Sequence, residues 1–325
     1  VWYQSDDRSM FEYRFSQLLA CATFALLVIG GTVNPTGSSL ACPEPTFVCN
    51  GQLFPPMTGG VFYEHGHRLV AQGIGGMQIV LTILLIVRRR PLWKLALVLG
   101  AMIATQAFLG ALTVYYLLPW YISTAHLMLG MAYFAALIYT AFKTRPAPTT
   151  DEVDRHARRR LELGGARKWI LIAIGAVAVQ LLIGALVRHH GAAMVCLGMP
   201  TCTIAGDWWP ATAVQKLHMV HRGFGVAVAV ITTIAAVQVF RHAKQWPALR
   251  ALAIIAPILV IAQIVLGIYT VLTMRSVPVA VAHFAGAAAL WALWTSAFLL
   301  TRARDRVVAR AAERHDLPRA VVVAS

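Results

Sequence analysis

Residues 61–87 read VFYEHGHRLVAQGIGGMQIVLTILLIV. Beyond Arg68 the stretch is an apolar run interrupted by Gln72 and Gln78. At 1.5 Å per helical residue it is long enough to cross a hydrocarbon core of about 30 Å. Yet it opens on Glu64, His65, His67 and Arg68. Ionisable groups are costly inside a bilayer, and where they occur there they mark function. A second copy of the pattern follows as His218-Met219-Val220-His221-Arg222.

Working outward, apolar blocks of similar length recur at about 16–33, 61–87, 92–116, 120–142, 169–187, 211–240, 251–273 and 278–301. The chain of 325 residues is 58% hydrophobic and 13% charged, against about a quarter charged in soluble domains. Mean hydropathy is +0.66. These features predict an all-α integral membrane protein with eight transmembrane helices. The opening residues do not read as a cleavable signal, so the first block is expected to stay as a helix.

A net charge of +15 raises nucleic acid as a partner, but the charge distribution excludes it. With the N-terminus inside, 23 of the 28 Lys and Arg fall on cytoplasmic segments, leaving Arg188, Lys216 and Arg275 outside and Arg68 and Arg222 within helices. That bias is the positive-inside rule, and the most basic segment, 143–168, carries no interleaved Phe, Tyr or Trp. Both termini are therefore expected in the cytoplasm of a cell whose inner membrane holds the chain, with the cysteine loops external.

The second half repeats the first. Gly30 precedes Cys42 by 12 residues, as Gly184 precedes Cys196, and His67-Arg68 precedes His221-Arg222 by 154. Gln106, Leu109-Gly110 and Thr113-Val114 recur as Gln263, Leu266-Gly267 and Thr270-Val271 at an offset of 157, and so does His126 as His283. The expected architecture is two tandem four-helix bundles in a parallel pseudo-twofold repeat. Residues 1–143 form the first half, 144–168 a cytoplasmic linker, 169–301 the second half and 302–325 a basic cytoplasmic tail.

Four histidines occupy matched positions, two per half, about 8–15 Å from the outer ends of their helices. An imidazole from each of two facing helices makes a clamp for the iron of a haem, whose flat apolar ring suits a bundle interior. A structural zinc site would want four converging ligands, while copper stays open on residue type. Arg68 and Arg222 are expected to meet haem propionates, or else to snorkel to the headgroups. Three residues before its ligand, one half has Glu64 where the other has His218. A carboxylate one turn from a haem ligand can exchange protons or stabilise cationic charge; the plainer reading pairs it with Arg68 at i, i+4. His65, His189 and His190 have no counterpart in register and read as surface residues or as residues behind the ligands. Cys42 with Cys49 and Cys196 with Cys202 fall in external loops where disulfides persist. Neither spacing is a C-x-x-C motif, so static staples are expected, with a redox role as the alternative.

With these residues in hand, the sequence resembles the haem A synthase family. The features carrying the resemblance are eight helices in two homologous halves, Glu64-x-x-His67-Arg68, the histidines His126, His221 and His283, and the paired loop cysteines. It implies oxidation of a ring methyl of haem O to a formyl group, giving haem A for terminal oxidases. It further implies His67 and His126 about the substrate iron, Glu64 as the essential acid, and His221 and His283 as ligands of a haem b cofactor. Haem O synthase and terminal oxidase assembly factors are the partners it suggests, with an unidentified electron donor, membrane lipids around the chain, and a homo-oligomer left open. Two rivals remain: a non-catalytic di-haem cytochrome b, which has no use for a one-sided Glu64, and a haem transporter or chaperone suggested by Asp207-Trp208-Trp209-Pro210. A membrane thiol oxidoreductase is disfavoured by the cysteine spacing.

Overall fold

A computed structural model describes residues 7–146, 164–244 and 246–314. It contains helices α1 (Asp7–Val33), α2 (Gly59–Arg88), α3 (Trp93–Tyr115), α4 (Trp120–Thr144), α5 (Gly164–His189), α6 (Ala213–His242), α7 (Pro247–Leu272) and α8 (Val277–Arg314). All eight are long and apolar enough to cross a membrane. The middle of the expected linker, 147–163, and the last residues of the tail, 315–325, lie outside the described residues.

Several helices overrun the apolar blocks that announced them. The first begins at Asp7 rather than near residue 16, and the last continues to Arg314 rather than ending near 301. The apolar blocks mark where lipid contact is tolerated. The backbone goes on bonding to itself for as long as the Ala, Arg and Glu of the flanks favour helix.

Packing divides the helices into two sets. In the first, α1 packs on α2 and α4, and α3 packs on α2 and α4; in the second, α6 packs on α5 and α7, and α8 on α7 and α5. The sets meet where α8 touches α1 and α4, and where α4 touches α5. Trp291 of α8 locks this seam by donating its indole N–H to the carbonyl of Met131 at 3.0 Å. Between apolar helices in lipid no hydrophobic gain drives association, so close approach of small residues matters more. Ala173, Ala235, Ala256, Ala288 and Ala297 are buried to at most a trace in the second core, around Trp294. Large apolar side chains instead face outward, with Val87 67% and Ile258 64% exposed.

Helices α3 and α7 end in the same way. Two successive non-glycine residues take left-handed φ, Leu117 and Leu118 (57° and 66°) after α3, Met274 and Arg275 (52° and 61°) after α7. In both turns the second residue donates its N–H 2.7 Å back to a threonine carbonyl, of Thr113 or Thr270. These positions stand at the offset of 157 noted above.

One buried polar chain ties α2 to α4. Tyr133 donates to Gln78 Oε1 at 2.7 Å, and Gln78 Nε2 donates to Thr82 Oγ1 at 2.9 Å. Removing the hydroxyl orphans a buried acceptor, which costs about 1–3 kcal/mol. Tyr133→Phe is therefore expected to lower the thermal unfolding midpoint in detergent, and the double variant Tyr133→Phe/Gln78→Leu to recover part of the loss.

Candidate functional site

Each of the four histidines faces a glycine on the preceding helix. A Cβ added to Gly30 of α1 would lie 2.9 Å from His67 Cε1 of α2, and one on Gly110 of α3 3.2 Å from His126 Cε1 of α4. The second set repeats this, with Gly184 of α5 at 3.1 Å from His221 on α6 and Gly267 of α7 at 3.3 Å from His283 on α8. Odd helices thus supply the gap and even helices the imidazole. The glycines were visible in the sequence as markers of register, but their contact with the histidines was not.

His221 and His283 stand with ring centroids 6.4 Å apart and planes crossed at 84°. That spacing admits one metal ion between them at bonds of about 2 Å. They line a cavity of about 670 Å³, together with Gly184, Gly267, Phe284 and Leu290, within the range of about 300–1,000 Å³ usual for small-molecule sites. His67 Nδ1 is buried with no protein partner among the described residues. Two facing imidazoles, apolar walls and glycine-cleared space fit a flat metallo-tetrapyrrole. Zinc fits less well: among the described residues the one tight three-ligand cluster is Cys42, Cys49 and His65, and its thiols are joined to each other.

Neighbouring groups orient the rings. His126 Nδ1 stands 3.1 Å from the carbonyl of Gln106, which can only accept, so Nδ1 carries the proton and Nε2 keeps its lone pair. Gln106 Nε2 donates to the His126 carbonyl at 2.9 Å. In the second set Gln180 of α5 donates from Nε2 to the His221 carbonyl at 3.0 Å and stands 3.2 Å from His221 Nδ1. The first half has Leu26 at the corresponding offset. The sequence reading passed over Gln180, although a lone amide in an apolar run was the signal.

Glu64 is 4% exposed, and both of its oxygens are engaged. Oε2 accepts the backbone N–H of Cys42 at 2.9 Å, and Oε1 accepts Arg68 Nη2 at 2.6 Å. The i, i+4 pair allowed by the sequence is therefore formed. Arg68 spends its remaining Nη hydrogens on loop carbonyls, those of Cys42 (3.0 Å), Glu44 (2.6 Å), Thr46 (3.0 Å) and Val48 (3.3 Å). Arg222 does the same with Cys196 (2.6 Å), Gly198 (2.8 Å) and Thr201 (2.9 Å). These two arginines were expected to meet propionates; here they bolt the cysteine loops to α2 and α6. Each loop is also closed by its disulfide, Cys42–Cys49 and Cys196–Cys202.

The unmatched histidines differ from one another. His65 is fully buried beside the first disulfide, with Nε2 3.0 Å from the Leu53 carbonyl. Its counterpart Met219 packs on the second disulfide. His218 is buried where Glu64 stands in the first half. His189 is half-buried, and the exposed His190 lies against Trp120.

A family profile described as "Cytochrome oxidase assembly protein" matches residues 13–295 of the chain. Among curated proteins, a "Heme A synthase" of Geobacillus kaustophilus is 26% identical over 92% of this chain and 94% of its own length. Proteins of the same name from Bacillus licheniformis and Bacillus cereus are each 27% identical, over 81% and 92% of this chain and 86% and 97% of their own lengths.

Two predictions come from this geometry. Gly184→Ala crowds His221, and overpacking of about 1–3 kcal/mol should cut ligand occupancy roughly tenfold or more. The readout is haem-type absorbance per protein, with Gly175→Ala on the same helix, where an added Cβ meets nothing within 4 Å, as the control. The second concerns acid. Hydrogen bonds from its own backbone N–H and from those of Gly51 and Asn50, with Arg68 nearby, hold the Glu44 carboxyl below the usual carboxylate range. Its contribution to the loop is present above the ordinary carboxylate pKa and is lost as pH falls through the depressed one. Amide exchange at Asn50 and Gly51, corrected for the intrinsic pH dependence of exchange, should therefore stay slow through ordinary carboxylate titration and quicken only at lower pH.

Proposed function

We infer from one premise, that the chain belongs to the Cytochrome oxidase assembly protein family, that it acts as a haem A synthase. The relatives that match it nearly end to end carry that name. Haem O is the substrate, and the first four-helix half takes it, with His67 and His126 about its iron. The second half holds haem b as cofactor between His221 and His283, where it supplies one-electron chemistry when bound. Two halves related by a pseudo-twofold axis along the membrane normal, with both termini in the cytoplasm and the cysteine loops outside, place both clefts near the outer leaflet.

The observation that carries this reading is the one-sided carboxylate. Both halves present an imidazole pair and a bolted loop, but only the first sets a carboxylate one turn from its ligand. Conversion of a methyl to a formyl group removes four electrons from one carbon, in two two-electron hydroxylations that draw on an external oxidant, and the resulting gem-diol then loses water. Each stage also moves protons at the oxygens carried by that carbon. Glu64, aimed by the Cys42 N–H and the Arg68 guanidinium, is the group that accepts or returns them. The loop over it keeps bulk water away from the reacting carbon. A di-haem electron carrier would need the four histidines but not this difference.

The test is to purify the protein and identify its extracted haems by chromatography and mass. Haem b together with haem O, a hydroxylated intermediate or haem A is expected; haem b alone would overturn the reading. Glu64→Gln is expected to keep its bound haems while formyl product disappears.

A further inference from the structure

Two arginines stand apart from the loop bolts. Arg188, at the end of α5, and Arg275, in the turn after α7, both line the cavity between His221 and His283. Among the described residues each guanidinium makes a single, long hydrogen bond to protein, Arg188 Nη2 to the Gly30 carbonyl and Arg275 Nη2 to the Asn34 carbonyl, both at 3.4 Å. Arg188 Nε is buried with no partner, and its guanidinium stands 5.8 Å from the Phe284 ring, next in sequence to the ligand His283. Gly30 and Asn34 are one helical turn apart, about 6 Å along the axis. Two cations therefore crowd one rim of the cavity.

No Asp or Glu is among the residues lining that cavity, and neither arginine is in an ion pair among the described residues. Like charges side by side in an apolar setting are costly unless an anion sits between them. The other arginine of the cavity, Arg222, has both Nη nitrogens bonded to loop carbonyls. Neither position repeats: at the offsets of 154 and 157 the first half has Asn34 and Leu118. The rim is thus specific to the second cleft.

We propose that Arg188 and Arg275 form a dianion site, and that its occupant is the pair of propionate carboxylates on one edge of the haem ligated by His221 and His283. This rests on the reading of the second cleft as a haem b site. A planar ring with two imidazoles on its faces and two carboxylates on one edge presents the charges that the cavity answers. Arg suits that edge because its planar fork can offer two parallel N–H donors to a carboxylate. An anionic phospholipid headgroup at the same rim shares the chemistry, and the experiment separates the two.

The full chain, produced under haem limitation and purified in detergent, is titrated with ferric protohaem and with its dimethyl ester, which lacks both charges. Charge-assisted hydrogen bonds predict about tenfold or greater preference of the parent for the free acid. In Arg188→Leu/Arg275→Leu the preference should fall to near unity, with the bis-imidazole absorbance of bound haem unchanged. Arg188→Gln/Arg275→Gln gives a second variant should the first not fold, and Arg188→Lys should restore part of the preference. A preference that survives in the double variants overturns the proposal. If bound phosphorus falls in them at the same time, the arginines belong to a lipid headgroup. Equal binding of acid and ester by the parent also overturns it. A parent that binds neither form with bis-imidazole absorbance refutes the haem b reading itself, a result distinct from loss of the arginine effect alone.

Discussion

An imidazole within a membrane bundle sets two demands that conflict. The helices must approach closely enough to exclude lipid, yet leave room for a ring and for whatever it ligates. Glycine reconciles them by giving up its side chain where the ring must pass. The chain does this four times, at Gly30, Gly110, Gly184 and Gly267, always from the helix before the one that carries the histidine. The spacing of the helices, the crossed rings of His221 and His283, and the cavity between them all follow from that approach.

On this common frame the halves differ by a few side chains. The first places Glu64 over its cleft and His65 on its disulfide; the second has His218 and Met219 there, and adds Gln180 against its ligand. Two imidazole pairs held in one way but furnished differently can divide labour, one set for reaction at a ring substituent and one for a resident group. The arginine bolts are shared, so the covering of each cleft belongs to the frame.

Much of this was legible because it occurs twice. The helices, the four histidines and the cysteine pairs stood in two matching registers, and a pattern seen at two places separates position from accident. Glu64 apart, features present once were passed over. Gln180, Arg188 and Arg275 are polar residues in or beside apolar helices, and with no counterpart in the other half they read as isolated exceptions. The loop contacts of Arg68 were missed for another reason. Its partners are carbonyls of residues 42–48, and backbone groups leave no mark in residue types. Helix ends were missed where polar flanks continued the hydrogen bonding past the lipid-facing part, as at Asp7 and Arg314.

The bolted loops carry a consequence for traffic. Each cover is fastened to the residue next to a histidine of its own cleft, through three or more carbonyls. A ring arriving from the aqueous side would have to lift a cover that drags the neighbouring imidazole with it. A ring sliding in between helices from the lipid would disturb neither. Under the proposed function, entry between helices from the leaflet leaves both covers fastened, whereas entry through a cover does not.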